Sequence, residues 1–451
     1  MDAKKMKYDP VRAVIVEILG LIEKGRFTAE EAIHKAIENG SYTPRDIRFI
    51  RQMVNGTTKM KRRLDHDLKF YLSKPSEKLP QRLTDILRLG LFQILFTERI
   101  PDAAVVSEAV NLARHFCDQP RARLVNAVLR TALRHPEKVA FRNKAEEPTR
   151  HLADYYSYPE WFVEYCLSEF KLERTEQLLA AMNRPPLLSF RVNTIKETPE
   201  NIIRRLDESG AAYKRGRYLD DFFHLEESGF PLDDDLLDSG RIYIQDESAG
   251  MAVYLLNPRI GGNVLDLGAA PGGKSAYAAM LMNNRGMITA VDKSHPRLKL
   301  MLENCRRLGI EIVSPVLADI LEFRGRPFER VILDAPCTGW GNAGKHSDLR
   351  WMKKPDDVTA LARLQTRMID KAASLVKPGG VLVYATCTII RKENDDVIEE
   401  FLVRNGDFIL ETAGRYFDRE VVSERGFVKT YPYKEGLSGA FSARLRRRPE
   451  K

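Results

Sequence analysis

From Asn263 to Ala385 the chain alternates short apolar runs with helical stretches, and few architectures accommodate that order of elements. Strand-like runs at Asn263 to Leu267, Met287 to Val291, Val313 to Leu317, Val331 to Leu333 and Val381 to Ala385 alternate with helical segments at Lys274 to Met282, Pro296 to Leu308 and Asp356 to Val376. The alternation predicts a doubly wound α/β domain of Rossmann-like type with a mainly parallel sheet. In an open sheet of this kind ligands bind in the crevice beyond the carboxyl ends of the strands, so residues at those ends carry the functional argument.

The rest of the chain has a different texture. At 451 residues it is too long for one ordinary core and should form two or three domains. Val11 to Leu133 has helical period almost throughout, as in Val14, Ile15, Ile18, Leu19 and Ile22. Gly25, Gly40, Gly56 and Pro101 are read as punctuation between helices, and Ser41 to Pro44 as a turn and N-cap before a helix at Arg45 to Asn55. Ile86 to Leu95 is apolar nearly all round and should be the central helix of a bundle. A polar stretch at Arg134 to Thr149 reads as a linker, and Leu188 to Val192 and Asp221 to Leu225 flank a helix at Thr198 to Ser209 in a small α+β subdomain. The predicted domains are 1–140, 141–240 and 241–451.

Apolar runs are interrupted, for instance by Arg88 and Gln93, so no membrane span is expected. The opening residues, Met1 to Lys7, are charged and lead directly into an amphipathic pattern, which predicts a cytoplasmic protein. A formal charge of +9 favours a polyanionic partner. Cys117, Cys166, Cys305, Cys337 and Cys387 are widely spaced with no CxxC pair, which argues against a disulfide framework or structural zinc, and no metal is expected.

The run Gly268-Ala269-Ala270-Pro271-Gly272-Gly273-Lys274-Ser275 follows the first strand of the alternation and opens a helix. Small residues let the backbone approach a ligand, and the helix start offers free N–H groups. The run also satisfies the phosphate-loop pattern GxxxxGK[ST], with Ile332-Leu333-Asp334 as a possible magnesium strand, so a nucleotide hydrolase is a genuine competitor. Three acidic residues favour S-adenosylmethionine instead. Asp266 lies inside the strand and can anchor the loop; Asp292 ends the next strand, where a carboxylate reads ribose hydroxyls; Asp319 can serve the adenine amino group. Lys274 is left open between orienting a base or phosphate and capping the loop.

Two thiols fall at the ends of the fourth and fifth strands, in Asp334-Ala335-Pro336-Cys337-Thr338-Gly339 and Tyr384-Ala385-Thr386-Cys387-Thr388. Both should face the methyl donor. Cytosine C5 is a poor nucleophile until a thiolate adds at C6, and a second group must then remove the C5 proton to expel the enzyme sulfur. Asp334 would hydrogen-bond the ring edge. For Cys117, Cys166 and Cys305 simple packing is the expectation.

With LDLGAAPGGKS, the strand ending at Asp292, DAPCTG, and YATC followed by Glu393-Asn394, the chain resembles the NOL1/NOP2/Sun family of RNA cytosine-5 methyltransferases. Ser189 to Asn193 and Gln245 to Ser248 fit the subdomain that precedes the catalytic domain there. Arg45-Asp46, Ile86 to Gly90 and Val125 to Arg130 resemble a NusB-like helical domain, a fusion found in the bacterial Sun/Fmu branch that methylates 16S ribosomal RNA. The resemblance implies Cys387 as nucleophile, Cys337 in proton removal and release, and cofactor contacts from Gly268 to Lys274, Asp292, Asp319 and Asp334. It further implies a ribosomal RNA partner; the chain is separately expected to act as a monomer. One departure is Glu435 to Ser442, where the family has a Gly-Phe-Phe run, although the last strand should be retained.

Lys59, Lys61, Arg62 and Arg63, with Arg121, Arg123, Arg130 and Arg134, are candidates for a phosphate-tracking face. Arg444, Arg446, Arg447 and Arg448 read as a frayed basic tail. The rival functions are a phosphate-loop hydrolase acting on RNA and a non-catalytic RNA-binding assembly factor, neither of which would transfer a methyl group.

Overall fold

The computed structural model describes residues 8–38, 40–73, 78–226 and 234–450, so the charged opening Met1 to Lys7 lies outside the described residues. The chain divides into two compact units, 1–183 with 345–352, and 184–344 with 353–451. No helix among the described residues is long and apolar enough to cross a membrane.

The first unit is helical: α1 (Pro10–Glu23), α2 (Ala29–Glu38), α3 (Pro44–Lys59), α4 (Lys61–Tyr71), α5 (Gln81–Phe96), α6 (Asp102–Phe116), α7 (Gln119–Arg134), α8 (Pro148–Tyr156), α9 (Glu160–Glu169) and α10 (Leu172–Asn183). The predicted cap of α3 is present. Thr43 Oγ1 accepts from Asp46 N at 3.2 Å while Asp46 Oδ2 accepts from Thr43 N at 3.0 Å, a reciprocal capping box. α5 is buried continuously from Leu83 to Gln93 and forms the centre of the bundle. Gly56 does not punctuate anything. It sits inside α3, where an added Cβ would fall 1.9 Å from Phe92 Cζ, so its small size lets α3 close on α5. Residues 345–352 belong to this unit through buried Arg350, whose guanidinium donates to Ser157 O, Asn183 Oδ1 and Tyr158 OH at 2.9–3.0 Å.

Of the first basic cluster, little is available to a phosphate. Lys61 pairs with Glu23 at 2.7 Å, Arg62 with Asp154 and Glu160 at 2.7 Å each, and Arg63 with Asp67 at 3.0 Å. Lys59 is buried, and desolvation together with the nearby Arg350 charge lowers its pKa to about 7. Arg121 pairs with Asp118.

The second unit holds two sheets. The smaller has order β2-β3-β1-β4, with β1 (Leu188–Val192), β2 (Tyr213–Arg215), β3 (Phe222–Leu225) and β4 (Ile242–Ile244), the helix Pro199–Ser209 following β1. The larger is eight-stranded and contains β5 (Asn263–Leu267), β6 (Met287–Asp292), β7 (Val313–Leu317), β8 (Phe328–Asp334), β9 (Val376–Thr386), β10 (Phe408–Glu411), β11 (Val428–Thr430) and β12 (Ala440–Arg447). Its order is β10-β12-β9-β8-β5-β6-β7, with β11 pairing β12. The five strands β9-β8-β5-β6-β7 run parallel, and β12 adds antiparallel to β9. Core strands such as Val331-Ile332-Leu333 are buried on both faces, as helix-covered parallel strands must be.

The basic run near the end is not a frayed tail. It is β12, and Arg444 is buried with Nε on Glu411 at 2.7 Å and Nη1 on Leu255 O at 2.6 Å. Arg446 joins the same carboxylate, Arg447 donates to Val376 O, and Arg448 to Gly406 O. Partners on neighbouring strands and loops turn these residues into anchors, a pattern that charge counting overlooks.

Candidate active site

The carboxyl ends of the parallel strands carry every residue singled out at the catalytic and cofactor positions. Reading across the sheet, β9 leads to Cys387, β8 ends at Asp334 before Cys337, β5 opens into Gly268 to Gly273, β6 ends at Asp292 and β7 precedes Asp319.

The glycine-rich loop is shaped by backbone and by the absence of side chains. Gly268 has φ +84°, and a Cβ there would fall 2.4 Å from the carbonyl oxygen of Asp334, so only glycine fits the approach of β5 to β8. Gly268 N and Ala269 N both donate to Val291 O, at 2.9 and 3.1 Å, and Ala270 N donates to Asp292 Oδ2 at 3.2 Å. Asp292 also accepts from Ser294 N at 2.9 Å, so its carboxylate joins the loop to the turn after β6. Asp319 Oδ1 accepts from Leu321 N at 2.8 Å, and its neighbour Ala318 donates to Asp292 O at 3.2 Å, which holds the β6 and β7 ends together. Pro271 and Gly272 complete the turn, and the helix Gly273–Leu281 begins behind them.

Below the loop lies Asp266, almost wholly buried. Its Oδ2 accepts from Ser275 Oγ at 2.6 Å, while Oδ1 has no hydrogen-bond partner. Burial pushes its pKa up to about 6, with the Asp334 and Asp292 charges acting in the same direction. Lys274 turns to the other side, Nζ donating to Asp334 Oδ2 at 2.7 Å. Burial opposes its charge, but the Asp334 carboxylate outweighs that and raises its pKa above the ordinary lysine value. In a phosphate loop the Lys and Ser of GKS would face phosphates and metal. Here Lys274 binds the would-be magnesium aspartate and Ser275 is buried on Asp266, so the hydrolase reading loses its two key groups.

Cys337 Sγ and Cys387 Sγ lie 3.4 Å apart. The hydrogen bond from Cys337, reinforced by the Lys274 charge and opposed by burial, draws the Cys387 pKa below that of an ordinary thiol. The same hydrogen bond, with burial, pushes the Cys337 pKa well up, so of the two sulfurs Cys387 is the one biased toward the thiolate. Cys166 and Cys305 are buried core residues and Cys117 is partly buried.

In the sequence Glu393 is only part of a motif; its position reveals more. The buried carboxylate accepts from Thr338 N at 2.8 Å and from Thr338 Oγ1, from Gln365 Nε2 at 3.1 Å and from Thr388 Oγ1 at 3.4 Å. Gln365 also donates to Pro336 O at 2.8 Å, so one carboxylate ties the segment after Cys337 to the one after Cys387. Asn394 adds a bond from Nδ2 to Thr388 O at 2.9 Å. Burial raises the Glu393 pKa. Only its place six residues past Cys387 hints at this; Gln365, on the helix Pro355–Ser374, gives no signal.

The altered segment Gly436 to Ser442 still reaches the site. Gly341 N donates to Cys387 O at 3.1 Å, Gly439 N donates to Gly341 O at 2.9 Å, and Phe441 pairs with Thr386. A Cβ at Gly341 would fall 1.7 Å from Gly439 O, so the two chains touch backbone to backbone. Gln245 accepts from Arg191 at 2.7 Å, Asp246 caps the helix Glu247–Leu256, and Glu247 accepts from Tyr218 N and Leu219 N at 2.6 and 2.8 Å, which makes this motif a brace between the two sheets.

Comparison with known proteins gives the family. Residues 253–446 match the model for 16S rRNA methyltransferase RsmB/F, residues 9–134 the NusB family, and residues 158–230 the ferredoxin-like domain of RsmF/B-like methyltransferases. A probable ribosomal RNA small subunit methyltransferase B of Bacillus subtilis (strain 168) is 34% identical over 407 residues, covering 89% of this chain and 90% of the relative. The chain belongs to the RsmB/F family of 16S rRNA methyltransferases. Among solved structures, the protein PH0851 aligns over 98% of this chain and 100% of its own with a TM-score of 0.78 at 26% identity. A methyltransferase homolog protein from Pyrococcus horikoshii aligns over 68% of this chain and 100% of its own, TM-score 0.59, at 30% identity. As a member of the RsmB/F family the chain is an enzyme, with a NusB helical domain, a small sheet domain and a mixed-sheet methyltransferase domain, as its sequence predicts.

Proposed function

We propose that this enzyme transfers a methyl group from S-adenosylmethionine to C5 of a cytosine in 16S ribosomal RNA through a covalent bond between Cys387 and C6. The observation that carries the reading is the 3.4 Å approach of the two sulfurs, with the Cys387 pKa drawn down and the Cys337 pKa pushed up by their shared hydrogen bond.

The strand ends fit the cofactor. A loop that excludes even a methyl side chain at Gly268, flanked by Asp292 and Asp319 and underlain by the unpartnered Oδ1 of Asp266, suits a cationic, hydroxyl-bearing nucleoside. Gly268, Ala269, Ala270, Pro271, Gly272 and Gly273 would hold it by backbone, Asp292 by the ribose hydroxyls and Asp319 by the adenine amino group, with Lys274 and Asp334 at the edge nearest the thiols. When bound, it supplies an electrophilic methyl group.

The protein's own steps follow from the thiol pair. The Cys387 thiolate adds to C6 of an extruded base and drives an electron pair toward C5, which would form the new C–CH3 bond with the methyl group of the bound donor, the donor sulfur keeping the pair of its broken S–CH3 bond. Asp334 hydrogen-bonds the ring edge, with Lys274 fixing its carboxylate. Cys337 keeps its proton while Cys387 is anionic; once that sulfur is bonded to carbon the anion is gone, and Cys337 releases its proton to water. The new Cys337 thiolate takes the C5 proton, the C5–C6 double bond re-forms, and Cys387 leaves as thiolate.

On a 16S rRNA transcript with S-adenosylmethionine, Cys337→Ala should accumulate a covalent RNA adduct that survives denaturing electrophoresis, and Cys387→Ala should form neither adduct nor product. Methyl transfer by Cys387→Ala would sink the role assignment, and nucleoside mass spectrometry showing a methyl group elsewhere than C5 would sink the reaction.

A further inference from the structure

The two basic clusters of the helical unit differ in how their charges are used. The residues from Lys59 to Arg63 are buried or paired with carboxylates. Along α6 and α7 the situation is reversed. A groove of about 460 Å³ runs between these helices, floored by Val106, Val110 and Leu133 and rimmed by Arg114, Arg130 and Arg134. No carboxylate is among the residues that line it.

All three arginines are exposed. Their neighbours within hydrogen-bond reach are neutral: Arg114 donates to Asn111 Oδ1 at 3.0 Å and to Gln119 Oε1 at 3.3 Å, and Arg130 donates to Asn126 Oδ1 at 3.0 Å. An amide orients a guanidinium without neutralising it. Three uncompensated positive charges around an apolar floor suit a ligand with phosphates at its edge and flat apolar faces inside, which is the chemistry of a nucleic acid strand. A protein partner of ordinary acidity would satisfy the rim but has no particular use for three full charges over so small a floor.

We propose that the α6–α7 groove is the RNA-docking surface of the helical unit, with Arg114, Arg130 and Arg134 bound to phosphates. The proposal rests on the RNA substrate of the proposed reaction and adds where on this unit the strand is held. Each guanidinium that meets a phosphate releases a counterion, so the groove has a thermodynamic signature in salt.

The test uses the full chain and a deproteinised 16S rRNA transcript. Arg130→Ala combined with Arg134→Ala should raise the Kd for RNA about tenfold and reduce the slope of log Kd against log salt by about 2, roughly one for each phosphate no longer neutralised. The rate at saturating RNA should be unchanged. Lys24→Ala combined with Arg26→Ala, exposed cations in the turn after α1, removes the same charge elsewhere and should leave the slope alone. An unchanged slope in the groove variant, or an equal loss in the control, overturns the proposal. So does normal binding of bare RNA with weakened binding of a protein-containing ribosomal particle, which would assign the groove to a protein. Should the wild-type chain methylate no ribosomal RNA, the proposed reaction fails on its own, while the salt slope still decides the groove.

Discussion

The glycine-rich loop after β5 and the cysteine segments after β8 and β9 lie at the same edge of one sheet, and they hold their shapes by opposite means. The loop is defined by what it lacks: Gly268 has no room for a Cβ against Asp334, and the turn is fixed by backbone bonds to Val291 and one carboxylate, Asp292. The cysteine segments are defined by what they share, a buried Glu393 that accepts from Thr338, Thr388 and Gln365. The difference teaches that a ligand cradle can be shaped by close backbone packing, whereas the pair of reactive atoms is held by side chains converging on one buried carboxylate. It also separates two failures, one of cofactor binding and one of sulfur alignment.

The largest effect should come from the loop. Gly268→Ala places a methyl against backbone at a positive φ, a strain of about 1–3 kcal/mol before the clash is added, and the net outcome should be an about 10³-fold loss of kcat/KM led by weaker S-adenosylmethionine binding in calorimetry. Full cofactor affinity in this variant would break the comparison at its first term. Next comes the clamp. Glu393→Ala should slow single-turnover methylation about 10²-fold while leaving cofactor affinity intact, with Glu393→Gln restoring part of the loss. Because the clamp sets the hydrogen bond from Cys337, the pH at which Cys387 becomes reactive to iodoacetamide should climb back toward the ordinary thiol range in Glu393→Ala. If cofactor binding falls in parallel with rate, the two regions are not independent.

The smallest effect sharpens the loop's side of the comparison. Asp266 has a folded pKa of about 6, above the roughly 3.9 of an unfolded aspartate. The folded state therefore binds the proton more tightly, so the stability this group contributes is present below pH about 4 and lost as pH rises through about 6. Asp266→Asn should raise the Tm at pH 8, by the equivalent of about 1–2 kcal/mol, and give no gain at pH 4. A gain at pH 4 as large as at pH 8 would show that the carboxylate's charge is not what burdens the fold.

What is legible in the sequence follows the same division. β5, β6, β8 and β9 are readable because parallel strands covered on both faces are largely apolar runs, and the cap at Thr43 is readable because its partner Asp46 is three residues away. The two thiols at neighbouring strand ends follow from topology alone. Gln365 and the clamp it completes are not readable, since the bonds to Pro336 and Glu393 join residues 28 or more positions apart. Nor is the fate of the charges: Lys61 and Arg130 look alike in sequence, and only their neighbours, Glu23 for one and Asn126 for the other, distinguish a structural ion pair from an open cation. Arg444 departs from its expected place in a frayed tail for the same reason, its partner Glu411 arriving from β10.

The seating of β12 beside β9, with Gly439 bonded to Gly341 and Gly341 to the carbonyl of Cys387, has a consequence during synthesis. The sulfur pair is backed by a strand made well after Cys387, so in a nascent chain still short of Arg447 the strand leading to Cys387 is an uncovered sheet edge. Competence to modify RNA should therefore arise in one late step, and fragments from interrupted translation should carry the cofactor loop yet remain inert.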